Sequence, residues 1–272
     1  MKRKTISEII VVAISFSLAQ WVVGPNLQPE LNGLAIGVAI ALLIEWIFHL
    51  YDQRGFIRLY LKCLLSKRSL RLSIAYLYKI EVRGKYLLVK SNRIQGAYQP
   101  VGGVYKYFNP EGKKQLESIG AIPDNNIEND DASEHDLRLK LRNRRNLKDF
   151  IQWFFSREHR ELDPWREFYE ELVEPGLLPQ ALFPYIHYEL VGQSYEQIHY
   201  DEHFKTDTFK YFDIYKPKTL NRRQEDALEQ LYMNPPDGAI WVTEEEIKRE
   251  IASDGKRIAP HTYHIFETRK LD

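Results

Sequence analysis

The chain has 272 residues, with 38 basic and 38 acidic side chains and no formal net charge. Such a balance creates no overall field for a polyanion, so a nucleic acid polymer is not an expected partner. The lone cysteine, Cys63, excludes an intrachain disulfide and agrees with a reducing compartment.

Two apolar runs come first, Ile6 to Val23 and Leu34 to Leu50. Each covers roughly 26 Å as a helix, near the lower limit for crossing a bilayer core. The overall mean hydropathy is only −0.45, so apolar residues are concentrated here. Two other readings remain beside a pair of spans: a cleaved signal peptide after Met1-Lys2-Arg3-Lys4, and a buried helical hairpin. No small-x-small cleavage site follows the first run, and the second comes at once.

Basic residues set the expected orientation. Lys2, Arg3 and Lys4 precede the first run, while Arg54, Arg58, Lys62, Lys67, Arg68 and Arg71 follow the second. The loop Gly24 to Gly33 carries no Lys or Arg, so both termini are expected on the cytoplasmic side. Within the second run Glu45 is unusual, since a buried carboxylate costs roughly 3 kcal/mol on insertion scales. Gly33, Gly37, Ala41, Glu45 and His49 recur every fourth residue along one helix stripe. The stripe serves either packing of one span on the other or self-association in the membrane, with membrane lipid around it. Cys63, close to the second run, is a site for lipidation or an inert thiol.

Residues 55–74 read as a basic linker ahead of a domain over 75–272. Ala75 to Val82 and Tyr86 to Lys90 are predicted as paired strands around Arg83-Gly84-Lys85. A third strand is expected near Gln99-Pro100-Val101-Gly102-Gly103-Val104. Asp124 to Asp136 is acidic, and Arg138 to Lys148 is basic. Leu137, Leu139 and Leu141 alternate with Arg138, Lys140 and Arg142, a strand with one apolar and one basic face. It is either a solvated edge strand or one that faces phosphates, which guanidinium geometry suits.

A long helical signal spans Leu147 to about Leu172, with a break expected at Pro164. Strands at Tyr185 to Leu190 and Phe209 to Ile214, a helix at Arg222 to Tyr232, strand Ala239 to Val242 and a helix at Thr243 to Ala252 complete the order, a mixed α/β sandwich. His199 and His203 have helical spacing, but no third zinc ligand accompanies them. On the middle helix, Glu167, Glu170 and Glu171 lie three and four apart, which gathers carboxylates on one face. That face is either simply solvated or a place for hard divalent ions beside phosphates.

Arg166-Glu167-Phe168-Tyr169-Glu170-Glu171 resembles the Arg-Glu-U-x-Glu-Glu heart of the Nudix box, where U is a bulky apolar residue. Glu158 stands eight positions before Arg166, where that box also has a glutamate. Pro100-Val101-Gly102-Gly103 and Trp241-Val242-Thr243-Glu244-Glu245-Glu246-Ile247 resemble further Nudix segments. Two departures stand out: Gln152 replaces the opening glycine and Val173 the later one, and about 45 residues intervene between Gly103 and Gln152. Spans ahead of such a domain, with an insertion over about 105–150, resemble the transmembrane Nudix effectors of bacterial CBASS antiphage systems, the SMODS-associated Nudix family.

The resemblance implies a divergent Nudix fold behind two transmembrane helices, over residues 1–54, in the bacterial inner membrane. It implies an effector that binds a cyclic di- or oligonucleotide and disrupts the membrane in abortive infection; a homo-oligomer is expected, with the stripe of Gly33, Gly37, Ala41, Glu45 and His49 as its contact in the membrane. Expected ligand contacts are Arg93, Gly102, Gly103, Arg138, Lys140 and Arg142. Tyr98, Tyr105 and Tyr107 either stack on a base or pack in the core. Mg²⁺ at Glu158, Glu167, Glu170 and Glu171 is the implied cofactor. The alternative is a tethered Mg²⁺-dependent Nudix hydrolase of a nucleoside diphosphate derivative, with Glu167 or Glu171 aiding the attacking water. A membrane-tethered scaffold is a third class.

Overall fold

The computed structural model describes residues 54–64, 66–124 and 134–266. The apolar runs and the stripe from Gly33 to His49 lie outside the described residues. Among the described residues, no helix is long and apolar enough to cross a membrane. The chain divides into two units, the second beginning at Ile57, and the fold described here is that of the second unit.

Helix α1 (Arg54–Leu64) leads in, with Leu59 and Cys63 fully buried on its inner side. Burial pushes the Cys63 thiol up to about 11, the behaviour of an inert core thiol and not of a lipid acceptor. Strand β1 (Leu70–Tyr78) follows, so the linker expected to run to residue 74 is already sheet from Leu70. The single strand expected over Ala75 to Val82 breaks at Lys79. There the chain passes from one sheet to another, and β2 (Glu81–Val82) pairs with β3 (Lys85–Lys90). The two turn residues between them, Arg83 and Gly84, both have positive φ, at 50° and 76°. That is the turn geometry whose twist matches a two-residue hairpin.

The same crossing recurs at Pro100. Strand β4 (Ala97–Gln99) belongs with β3, whereas β5 (Gly102–Val104) pairs with β1. The insertion expected between 105 and 150 is structured. It contains α2 (Glu111–Ile119), β6 (Ala121–Pro123), β7 (Arg138–Leu141) and the start of α3 (Leu147–Ser156). Helix α4 opens over Trp165–Phe168 and continues as a wider π turn through Tyr169–Val173. The long helical signal is therefore two helices, separated by residues 157–164. Strands β8 (His187–Tyr195), β9 (His199–Asp201) and β10 (Thr206–Lys218) follow, then α5 (Arg222–Met233), β11 (Ala239–Val242), α6 (Glu244–Lys248) and β12 (Arg257–Ile258). A 3₁₀ turn at Pro260–Ile265 is the last described helical element.

Two mixed sheets result. The first has the order β6-β7-β1-β10-β8, with β5 also on β1 and β9 on β10. The second runs β11-β3-β4-β12, with β2 on β3. Strand β1 is central and buried on both faces, and its parallel partner β10 runs beside it from Arg71↔Thr208 to Tyr78↔Tyr215. Its other side is shared, with β7 beside Leu70–Ser73 and β5 beside Ala75–Leu77. At the junction, Leu137 N–H donates to Tyr105 O (2.7 Å), and Ile74 N–H donates to Leu137 O (3.2 Å). Strand β7 thus continues the line of β5. It lies between β6 and β1 and is not an edge strand, because Leu139 and Leu141 are buried and both of its sides are hydrogen-bonded.

The core between elements is rich in tyrosine. Tyr105 is fully buried, and its hydroxyl donates to Asp213 Oδ2 at 2.7 Å. Tyr107 is buried too, so these two are core residues and not stacking platforms, whereas Tyr98 is half-exposed. Asp213 also accepts from Tyr211 and Gln193, and its carboxyl lies above the usual range through burial. Satisfied buried polar groups of this kind specify one arrangement of the core.

Candidate functional site

Helix α4 carries the glutamates, and its start is set by Asp163, whose Oδ1 accepts the Trp165 N–H at 2.9 Å. Its apolar residues Phe168, Leu172 and Val173 are buried, with the Phe168 ring edge-on to Tyr78 at 5.5 Å. The opposite face presents Arg166, Glu167 and Glu170. The π turn at Tyr169–Val173 opens the helix where Glu170 and Glu171 sit, a distortion that often marks functional positions. Glu170 stays exposed while Glu171 turns inward.

The glycine turn meets this helix directly. Gly102 has φ +153°, and a Cβ there would come within 2.2 Å of Tyr76 O. A Cβ on Gly103 would lie 1.8 Å from Glu167 Oε1. Gly102 is therefore required by close approach of the backbone, whereas a side chain at Gly103 would have to displace the end of Glu167. The expected ligand contact through Gly102 and Gly103 falls on this turn, where Glu167 fills the space over Gly103. The Gly102 N–H donates to Glu171 Oε2 at 2.9 Å. Burial pushes the Glu171 carboxyl up to about 8, since one backbone donor does not replace hydration.

Arg166 gathers the remaining acids. Its Nε donates to Glu161 Oε1 (3.0 Å) and its Nη1 to Glu167 Oε1 (2.6 Å) and Glu170 Oε2 (3.3 Å). Its Nη2 donates to Val104 O at 3.1 Å. Glu161 completes the cluster and also accepts the Lys106 N–H. Glu158, three residues earlier, is exposed in the turn after α3, with its N–H on Ser156 Oγ. The eight-residue spacing does not bring Glu158 to Arg166, because α3 ends at Ser156 and a turn with left-handed Arg157 and His159 follows. Glu161 takes the place beside Arg166, and its neighbours in sequence gave no signal of it.

These carboxylates do not fit a divalent cation as they stand. Among the described residues, no group of three or more His, Cys, Asp or Glu side chains is arranged to hold a metal ion. Glu161, Glu167 and Glu170 share the Arg166 guanidinium, and Glu171 faces a backbone donor in a buried setting that favours its neutral form. Hard cations take several oxygens turned toward one point, whereas three of these carboxylates are turned to Arg166.

Beside the acidic cluster lies a basic one supplied partly by the insertion. Arg138, the first residue of β7, pairs in register with Ser73, two positions along β1 from Ala75, which pairs with Val104. Arg138 Nη1 donates to Asp136 Oδ2 at 2.7 Å, and Arg93 Nη2 stands 3.9 Å from the same oxygen. Burial, aided by the Arg93 charge, lowers Arg138 to about 10, whereas Asp136 and Glu167 act the other way. Asp136 in turn is raised to about 6 by burial. Lys140 shares the Arg138 face of β7 and is half-exposed, but Arg142 lies beyond the strand end, exposed, with its N–H on Gly120 O. Of the six expected ligand residues the structure unites Arg93 with Arg138 and leaves Arg142 apart.

A second buried constellation was not signalled by the sequence. Ser194 Oγ lies 2.7 Å from His264 Nδ1, and His264 Nε2 lies 3.1 Å from Glu196 Oε1. Lys210 also reaches Glu196 at 3.3 Å, and the carboxyl is held down at about 2 despite partial burial, by His264 and Lys210. Ser194 and His264 have no exposed surface, so the chain ties the last 3₁₀ turn to β8 and offers no nucleophile to a substrate. His199 and His203 belong to β9 and the turn after it, not to a helix.

No curated protein matches the chain. Residues 69–266 match the family described as the SMODS-associated NUDIX domain, a span that opens just before β1 and closes at the end of the last 3₁₀ turn. A mixed-sheet α/β fold, a glutamate helix against a Gly-Gly turn and this match agree: the chain belongs to the SMODS-associated NUDIX domain family.

Proposed function

We propose that this chain is a membrane-tethered effector whose Nudix-like unit binds a cyclic di- or oligonucleotide made by a partner synthase of a CBASS antiphage system. Occupied units assemble, and the two N-terminal spans then disrupt the bacterial inner membrane. The observation that carries the reading is the position of Arg138. Strand β7 of the insertion extends the line of β5 on β1, and the guanidinium of Arg138 at its start lies within electrostatic reach of Glu167, with Arg93 alongside. Paired guanidinium groups suit phosphate oxygens, while the shared Arg166 ties up the acids that hydrolysis would need.

The binding step works through this chain's own residues. Arg138 and Arg93 take the ligand phosphates, Lys140 adds charge on the same face of β7, and the glutamate–Arg166 cluster holds the Gly102–Gly103 turn in place. A ligand that prefers the assembled form shifts the population toward it by no more than its differential affinity. Assembly raises the effective concentration of the spans for one another.

Dye-loaded proteoliposomes carrying the full chain test the proposal. One cyclic nucleotide from a panel of di- and trinucleotides is expected to trigger release and to be recovered intact. Mg²⁺-dependent cleavage of a linear nucleoside diphosphate derivative, with no release by any cyclic compound, would establish the tethered hydrolase instead.

A further inference from the structure

The proposed phosphate site already contains an anion. Asp136 Oδ2 accepts from Arg138 Nη1 at 2.7 Å, and Arg93 Nη2 approaches the same oxygen at 3.9 Å. The Asp136 and Arg138 side chains are only 9% and 12% exposed, whereas Arg93 is 53% exposed. A carboxylate oxygen lying between two guanidinium groups is where a phosphate oxygen would lie.

The backbone gives Asp136 little room to retreat. It bridges antiparallel to Lys106, Tyr107 N–H donates to His135 O at 2.9 Å, and Leu137 N–H donates to Tyr105 O at 2.7 Å. Leu137 itself is fully buried. With the backbone fixed, displacement of the carboxylate means rotation of the side chain alone, so it stays near any anion that takes its place.

We infer that Asp136 is an internal competitor for the ligand's phosphate, occupying Arg138 in the resting unit until a ligand anion displaces it. The inference rests on the ligand site proposed above. Because Asp136 is tethered, its local concentration far exceeds that of free anions. Inorganic phosphate and mononucleotides therefore lose the competition. A ligand succeeds when it delivers several phosphates on one rigid frame, gaining Arg93 and Lys140 as well as Arg138. Asp136 thus sets a threshold that screens out the abundant simple phosphates of the cell.

The test uses the full chain in nanodiscs with inorganic pyrophosphate as the probe, titrated calorimetrically at fixed ionic strength. Asp136→Asn is expected to bind pyrophosphate at least about tenfold more tightly than the natural chain, as loss of a close like charge in a partly buried site implies. The gain is expected to vanish in the Asp136→Asn/Arg138→Ala double variant. Asp136→Ser, with both melting curves recorded, guards against a folding defect in one variant and is expected to show the same gain. Unchanged or weaker binding by both single variants, while Arg138→Ala still weakens binding of the cyclic nucleotide, overturns the competitor and leaves the site standing. A gain that persists without Arg138 overturns the site as well.

Discussion

Burial carries the Glu171 side chain far from its ordinary chemistry. Its carboxyl, ordinarily near 4.5, is pushed up to about 8 by burial, so the folded chain holds a proton that the unfolded chain has released between those values. Bound protons in excess on the folded side mean that this group's contribution to stability falls as pH rises from about 4.5 to 8 and then levels off. Glu171→Gln removes that slope. Urea unfolding midpoints measured from pH 5 to 8.5 are expected to show the variant gaining steadily on the natural chain, and a constant difference would rule the buried carboxyl out. Gly103 is the complementary case. Since a Cβ would overlap Glu167 Oε1 at 1.8 Å, Gly103→Ala has to push the Glu167–Arg166 pair aside, at a cost of about 1–3 kcal/mol in the same unfolding experiment. An unchanged midpoint would mean that Glu167 has an easy second position.

Residues were legible in the sequence where local spacing decides, and illegible where it does not. Offset alone marked Glu167, Glu170 and Glu171, but the π turn parts them, leaving Glu170 exposed and turning Glu171 to the Gly102 N–H. Glu161 was missed because its place beside Arg166 depends on the path of residues 157–164. Ser194, Glu196 and His264 meet across about 70 residues of chain, which no periodicity records.

At the scale of elements, the insertion is the informative part. Its alternation of leucine with basic residues marked β7 as a strand, but a two-sided pairing is set by distant partners, so its place between β6 and β1 was hidden. The end of α3 was hidden for a different reason. Helices often stop at a glycine, yet here Arg157 adopts the left-handed conformation at φ +65° and closes the helix without that signal. The sheet crossings at Lys79 and Pro100 were likewise invisible to a pattern that treats each apolar run as one strand.

The insertion is anchored by Arg71 on β1 and Asp124 just past β6. Arg71 Nε donates to Asp124 Oδ2 at 2.6 Å with both side chains almost wholly buried, and the guanidinium lies 3.5 Å from the Phe204 ring centre. Removing one member of a buried pair leaves the other charge without compensation, which typically costs about 3–5 kcal/mol. Asp124→Ala is therefore expected to lower the unfolding free energy by about that amount and to increase hydrogen exchange of the β7 amides first. Exchange that rises equally in β11 and β12 would show that the insertion is not a separable layer.

On the scale of the whole molecule, the proposed mechanism joins a ligand-binding unit to two apolar runs that lie outside the described residues. Glu45, the only acid of the second run, is the residue on which the membrane step depends in this reading. Glu45→Leu is expected to leave ligand binding unchanged and to abolish dye release from proteoliposomes. Full release by the variant would remove Glu45 from the mechanism, though not the sensor.

The central claim is that the Nudix-like unit binds a cyclic nucleotide at Arg138 without consuming it. Equilibrium binding of labelled cyclic di- and trinucleotides to the full chain in nanodiscs, with and without Mg²⁺ and with the ligand analysed afterwards, measures it most directly when Arg138→Ala is run in parallel. The expected result is selective, saturable binding of one compound, recovered intact, and weakened at least about tenfold in the variant by loss of a charge-assisted contact. Equal binding by Arg138→Ala, or turnover of the ligand by the natural chain, would contradict it.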